Sequence, residues 1–140
     1  MAIQPVARQL VFTAKEIRER FEEVLRRNDA SLGTWIVLNA VSEQGTVSQR
    51  TLASHAHVEG ATITHHVDRL EALGLVRRQV DPDDRRVRRI EPTPEGARLH
   101  KRLLTELRKF ESKLFDGFSD EDRAELRRLL DGLDANLQKI

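Results

Sequence analysis

Between Arg77 and Arg89 six arginines stand against three aspartates, in a chain whose net charge is only +1. A local excess of guanidinium groups attracts phosphate and can fork onto it through paired N–H donors. The chemistry on offer is therefore ion pairing with a polyanion. Asp84 and Arg86 are two apart, which places them on one face of an extended strand. A carboxylate there can hold the guanidinium by charge-assisted hydrogen bonds and aim it outward. Just upstream, Thr62, Thr64 and His65 are small or hydrogen-bonding residues, the kind that close approach to base edges requires. His55, His57, His65 and His66 also gather here, and imidazoles bind zinc. Adjacent helical side chains diverge by about 100°, however, so His65 and His66 do not easily share one ion. No Gly-rich phosphate loop, nucleophile elbow or His-Glu-x-x-His helix occurs. The carboxylates are spread over solvated helix faces with partners at helical spacing, such as Glu16 with Arg20 and Glu22 with Arg26. Neither an enzyme nor a cofactor is expected.

Positioning these residues takes a helix and a hairpin. Ile63, Val67 and Leu70 fall at i, i+4 and i+7, one apolar face of a helix. Gly74 stands where a helix stops, because glycine takes the left-handed conformation without a Cβ clash. Two strand-like runs, Leu75–Val80 and Val87–Glu91, flank the turn-rich Asp81-Pro82-Asp83-Asp84. Helix, strand, charged turn and strand together predict a winged helix. Upstream, Ser48 is a good N-cap for a third helix carrying Leu52 and Ala53. His55, Ala56, His57 and Val58 make a turn, and a fourth helix opens near Glu59-Gly60-Ala61. Two helices so closely joined match the helix-turn-helix, whose second helix enters the major groove. On that helix Ile63, Val67, Leu70 and His66 point to the core, and Ala61, His65 and Asp68 point away. Thr62, Thr64 and Arg69 lie on the flanks.

The remaining segments are helical. Leu10, Ala14, Ile17, Phe21 and Val24 alternate in steps of four and three, predicting an amphipathic first helix that ends near Asn28. It either packs on the domain core or forms a seam that also meets a partner. Leu32–Val41 is apolar on most sides and predicts a buried second helix. Trp35 anchors the core or walls a ligand pocket; Trp35, Ile36, Asn39 and His66 are the candidate pocket residues. Gly45 breaks the chain, and Thr46-Val47 offers a very short strand for the wing sheet. Thr93 and Pro94 start a fifth helix, with a stripe of Leu99, Leu103, Leu107, Phe110 and Leu114 extended by Phe118. Ser119-Asp120-Glu121-Asp122 begins a sixth, with acidic residues at the positive end of its dipole. Leu126, Leu130, Leu133, Leu137 and Ile140 are its stripe. These stripes hold more large apolar residues than a compact lobe needs, which predicts a dimer interface.

Composition agrees with that division. At 140 residues, 39% apolar and 34% charged, the chain suits one DNA-binding lobe sharing a core with a helical extension. We expect residues 31–93 to form a winged helix-turn-helix lobe, and residues 1–30 with 94–140 a helical dimerisation region. There is no cysteine, which excludes disulfides, thiolate zinc sites and thiol redox sensing. No apolar run approaches the roughly 20 residues of a membrane span and no signal-peptide pattern occurs, so a cytoplasmic protein without a membrane partner is expected.

The blocks Thr62-Ile63-Thr64, Val67-Asp68-Arg69-Leu70, Gly74-Leu75-Val76, Asp84-Arg85-Arg86 and Thr93-Pro94-Glu95-Gly96, in this order, resemble the MarR family of transcriptional regulators. The resemblance runs from about Leu10 to the C-terminus. It implies a mainly α, dimeric, ligand-responsive repressor that binds a pseudo-palindromic operator in double-stranded DNA. It also implies that Asp84 braces the wing while Arg86, or in its place Arg85, inserts into the minor groove. Ser48, Gly60, Ala61, Thr62, Thr64, His65 and Arg69 complete the expected DNA-binding set. The effector implied is a small molecule, often an aromatic acid or phenol. Where the family commonly has an arginine and a leucine this chain has His65 and His66, so a neutral imidazole would read or skirt the groove. The alternatives are a metal-sensing regulator of the same fold and a winged-helix module that binds protein.

Overall fold

The computed structural model describes residues 5–44, 47–55 and 60–140. The elements are α1 (Pro5–Arg27), α2 (Leu32–Gln44), β1 (Val47–Ser48), α3 (Gln49–His55), α4 (Gly60–Ala72), β2 (Val76–Val80), β3 (Arg88–Pro92), α5 (Pro94–Leu114) and α6 (Asp120–Leu137). The chain divides into two compact units, Met1–Arg108 and Lys109–Ile140. The fold is mainly α with a winged helix-turn-helix, as the residue pattern predicts. Gly45, Thr46 and the turn residues 56–58 lie outside the described residues, as does Glu59.

Local chemistry explains most boundaries in the first unit. α1 ends in a Schellman arrangement, with Asp29 left-handed at φ 56°. The Ala30 N–H donates back to the Leu25 carbonyl at 2.9 Å, and the Asn28 side chain caps Val24 at 2.9 Å. α4 ends the same way at Gly74, φ 74°, with Leu75 N–H donating to the Leu70 carbonyl at 2.9 Å. The hydroxyl of Ser48 accepts from the Thr51 N–H at 3.1 Å and caps α3, although Ser48 itself ends strand β1. Thr93 caps α5 by accepting from the Gly96 N–H at 3.1 Å, and its hydroxyl donates to the Gly74 carbonyl at 2.6 Å. Gly96 is required there: a Cβ would stand 1.9 Å from the Leu75 carbonyl oxygen.

The three strands form an antiparallel sheet in the order β1-β3-β2, with Val47 opposite Ile90 and Arg78 opposite Ile90 on the other side. Leu75 and Val87, expected at the strand starts, fall outside them: the Leu75 N–H closes the end of α4 on Leu70, and the Val87 N–H donates to Asp84 within the tip turn. Nearly every element of the unit sends a side chain to one core: Leu25, Val37, Leu38, Val41, Val47, Leu52, Ile63, Val67, Leu70, Val76, Ile90, Leu99, Leu103 and Leu107. Each full burial of this kind contributes roughly 1.5–3 kcal/mol. The stripe expected on α1 is only half right. Ile17, Phe21 and Val24 are half-buried, Leu10 and Ala14 are exposed, and the fully buried residue is Leu25, one step off the stripe. Glu22 also pairs backward with Arg18 at 2.9 Å rather than forward with Arg26.

In the second unit Phe115 and Phe118 meet edge to face at 5.6 Å, and the Arg123 guanidinium lies 4.7 Å from the centre of the Phe115 ring. Gly117, at φ 84°, turns the chain. Ser119 then forms a capping box with Asp122, each side chain accepting from the other's backbone N–H at 3.0 Å. No residue of α6 is buried; Leu129, Leu130, Leu133 and Leu137 are all exposed. The helix stops at Leu137, so Ile140 lies beyond its stripe.

Candidate nucleic-acid interface

Helix α4 buries Ile63, Val67 and Leu70 and leaves Thr62, Thr64, His65, Asp68 and Arg69 exposed. Its first turn starts at Gly60, followed by Ala61. His66 is half-buried rather than core, and it sits in a notch made by Gly33 of α2: a Cβ on Gly33 would stand 2.4 Å from its Nδ1. Burial, then the neighbouring His65 and Arg69 charges, hold the His66 imidazole below its ordinary pKa. His65 and His66 keep their ring centres 6.0 Å apart. His57 and the side chain of His55 lie outside the described residues.

At the wing tip, Arg86 donates from Nε to Asp84 Oδ1 at 3.1 Å and from Nη2 to Oδ2 at 3.3 Å. The expected pairing is present, but its route differs. Asp84 and Arg86 lie in a turn, not on a strand, and the Asp84 carboxylate also accepts the Arg86 backbone N–H at 3.0 Å. This is the local Asx geometry available to an aspartate two residues upstream. The Arg86 hydrogen bonds hold the Asp84 carboxyl below its ordinary range. The Arg86 side chain itself is 91% exposed. Beneath it, buried Asp81 accepts from Arg89 and from the backbone N–H groups of Asp83 and Asp84. The same bonds, that of Arg89 foremost, lower the Asp81 pKa.

The six wing arginines therefore divide. Arg77 pairs with Glu91 at 2.8 Å, which also accepts from Gln79 at 2.8 Å. Arg78 and Arg89 are tied to acids within the lobe. Among the described residues Arg85 and Arg88 have no carboxylate partner; Arg88 donates only to the Arg85 carbonyl, at 3.3 Å. With Arg86 held by Asp84, local pairing thus engages four of the six. What remains is concentrated. A cleft of about 520 Å³ is lined by Ser48, Gln49, Arg50, Asp84, Arg86, Val87 and Arg88. It joins the start of α3 to the wing, and brings Ser48 beside Asp84 and Arg86 as a concave, cationic surface suited to a sugar–phosphate strand.

Two features escaped the sequence reading. Arg78 is the hub of a network: Nη2 meets Asp68 at 2.6 Å, Nη1 meets Glu71 at 3.1 Å, and Nε donates to Gln49 Oε1 at 3.3 Å. Gln49 in turn donates to the Thr64 hydroxyl at 2.6 Å. The other is His100, which stacks on Trp35 at 5.6 Å with 9° between planes and shares a 3.1 Å hydrogen bond with Asn39. Burial lowers the His100 pKa, with Glu43 opposing. The candidate ligand residues accordingly split. Trp35 and Asn39 meet at His100, Ile36 is half-buried on the same helix, and His66 is held at Gly33. A helical stripe puts His100 next to Leu99, and that adjacency was the signal available for it.

The family model "MarR family" matches residues 31–87. The chain is 28% identical over 122 residues to the uncharacterized HTH-type transcriptional regulator YsmB of Bacillus subtilis, covering 87% of this chain and 84% of that one. It is also 28% identical over 122 residues to the HTH-type transcriptional repressor IacR of Pseudomonas putida, covering 87% and 73%. Among solved structures, the PcaV transcriptional regulator of Streptomyces coelicolor, in complex with its natural ligand, superposes with a TM-score of 0.80 at 22% identity, covering 96% of this chain and 98% of that one. No helix is long and apolar enough to cross a membrane among the described residues.

Proposed function

We propose that this chain, a DNA-binding transcriptional regulator of MarR type, acts in the cytoplasm as a homodimeric, effector-responsive repressor on a pseudo-palindromic operator. The observation that carries this reading is the Asp84-braced Arg86, held out from the wing tip at 91% exposure on the same unit as the polar face of α4. Thr62, Thr64 and His65, with Ser48, Gly60, Ala61 and Arg69 around them, would face the major groove. Arg86, or in its place Arg85, would enter the minor groove, whose narrow A·T tracts attract guanidinium. Arg50 and Arg88 in the cleft would take the intervening phosphates. Residues 1–30 and 94–140 would supply the dimer contact: α1 exposes Val6, Leu10, Val11 and Phe12, and α6 exposes Leu129, Leu130, Leu133 and Leu137, patches that call for a partner. The effector would be a small aromatic acid or phenol held near Trp35, Ile36, Asn39 and His66, and would change the spacing of the two recognition helices.

The test is selection of genomic DNA fragments by the purified protein, followed by titration of a recovered duplex and a random duplex of equal length. A recovered duplex bound at least about a hundredfold more tightly supports the reading, given the usual margin of specific over non-specific binding. Equal affinity for both duplexes would move a protein partner ahead.

A further inference from the structure

We propose that Arg78 is a positioning residue for sequence reading: it sets the pose of Thr64 through Gln49 without touching DNA itself. Its side chain is only 20% exposed and its charge is met by Asp68 and Glu71 of α4, so little of it is left for a polyanion. Its backbone N–H also donates to Glu71 Oε2 at 3.1 Å, and Nη2 reaches the Thr64 carbonyl at 3.5 Å. Strand β2 is thereby fastened to two successive turns of the recognition helix. The remaining nitrogen, Nε, decides which way Gln49 points. A guanidinium only donates, so the Gln49 carbonyl oxygen must face Arg78 and its amide NH₂ must face Thr64, as the 3.3 and 2.6 Å contacts record. Gln49 thus bridges α3 and α4 at a residue of the reading face. Lysine cannot replace this arrangement. One compact ammonium lacks the planar fork that serves Gln49, Asp68, Glu71 and a carbonyl at once.

This inference rests on the DNA-binding reading above. The probes are a duplex recovered by selection on the wild-type protein and a random duplex of the same length, titrated by anisotropy over a salt series. Arg78→Lys is expected to cut the ratio of the two affinities by about tenfold, the worth of one good base contact, while leaving the salt slope unchanged because no phosphate contact is lost. Gln49→Ala removes the bridge to Thr64 without adding a charge to the cleft, and should lower the ratio in the same sense. Arg78→Lys combined with Thr64→Ala should cost at least about threefold less than the product of the two single effects, since coupled residues are not additive. Should Arg78→Lys fail to fold in a thermal melt, Gln49→Ala with Thr64→Ala provides the same cycle. Retention of the full ratio by the folded variants, strict additivity, or an equal loss on both duplexes with a flatter salt slope would each overturn the proposal. A wild-type protein that prefers no duplex would sink the DNA reading and the proposal together.

Discussion

Leu103, in the first half of α5, has no exposed surface, whereas Leu114, at the end of the same helix and on the same stripe, is 37% exposed. The contrast widens beyond it. In Met1–Arg108, helices with clear apolar periodicity deliver their leucines and valines to one core. α6 in Lys109–Ile140 has an equally regular stripe and buries none of it. Periodicity specifies which face of a helix leaves water. It carries no information on whether the covering surface belongs to the same chain. α6 is continuous and well capped at Ser119, yet it buries no residue, and the start of α1 is exposed as well; the dimer proposed above would cover both.

The sharpest way to break the contrast is to charge the uncovered stripe. Leu130→Asp with Leu133→Asp should abolish the dimer, because each unpaired carboxylate buried in an interface costs several kcal/mol. Sedimentation should then show a single chain mass or an unfolded protein, against twice that mass for the wild type; a well-folded wild-type monomer at micromolar concentration would refute the contrast. Leu103→Ala probes the other side. It should lower stability by about 2–5 kcal/mol through the core within one chain, leaving self-association of the folded fraction intact. Smaller effects lie on the polar face of the first unit. Arg86→Ala should weaken operator and A·T-rich random duplex alike and flatten the log–log salt slope by about two units per dimer. Thr64→Ala should spare that slope and shrink the operator-to-random preference by roughly 1 kcal/mol per half-site. Thermal melts of Arg86→Ala should match the wild type.

The smallest expected effect is a titration. His66 and His100 have pKa values lowered chiefly by burial, so below about pH 6.5 the unfolded chain binds more protons than the folded one. Stability should therefore be flat above that pH and decline as pH falls through the folded values. Trp35, the only tryptophan, stacks on His100, and its emission should fall as that imidazole gains a proton. His100→Gln should remove the fluorescence titration; an unchanged profile would place its source elsewhere.

Local signals made the winged helix legible. Gly74, Thr93, Ser48 and Ser119 are caps whose chemistry is complete within a few residues. The Asp84–Arg86 brace was also readable, though as a strand pair rather than a turn, because two residues apart is close enough in either conformation. Contacts joining distant parts of the chain were not. Arg78 looked like one more wing cation until the register set it beside α4, 29 residues from Gln49 along the chain. His100 lies 61 residues from Asn39, and no pattern of spacing links them. Leu25 was missed because the α1 stripe is a row, whereas the core near the end of that helix takes a wider arc.

The notch at Gly33 restricts how this lineage can drift. While the His66 imidazole keeps its present pose, position 33 has no room even for a methyl group, since the added carbon would stand 2.4 Å from Nδ1 and the ring would have to turn away from α2. The histidine can shorten first and the glycine can grow afterwards, but the opposite order passes through a damaged intermediate. Change at this pair is therefore directional. It behaves as one heritable trait shared by the helix that carries Trp35 and the helix that carries Thr64, and segments exchanged with relatives across that boundary would have to travel with their matching half.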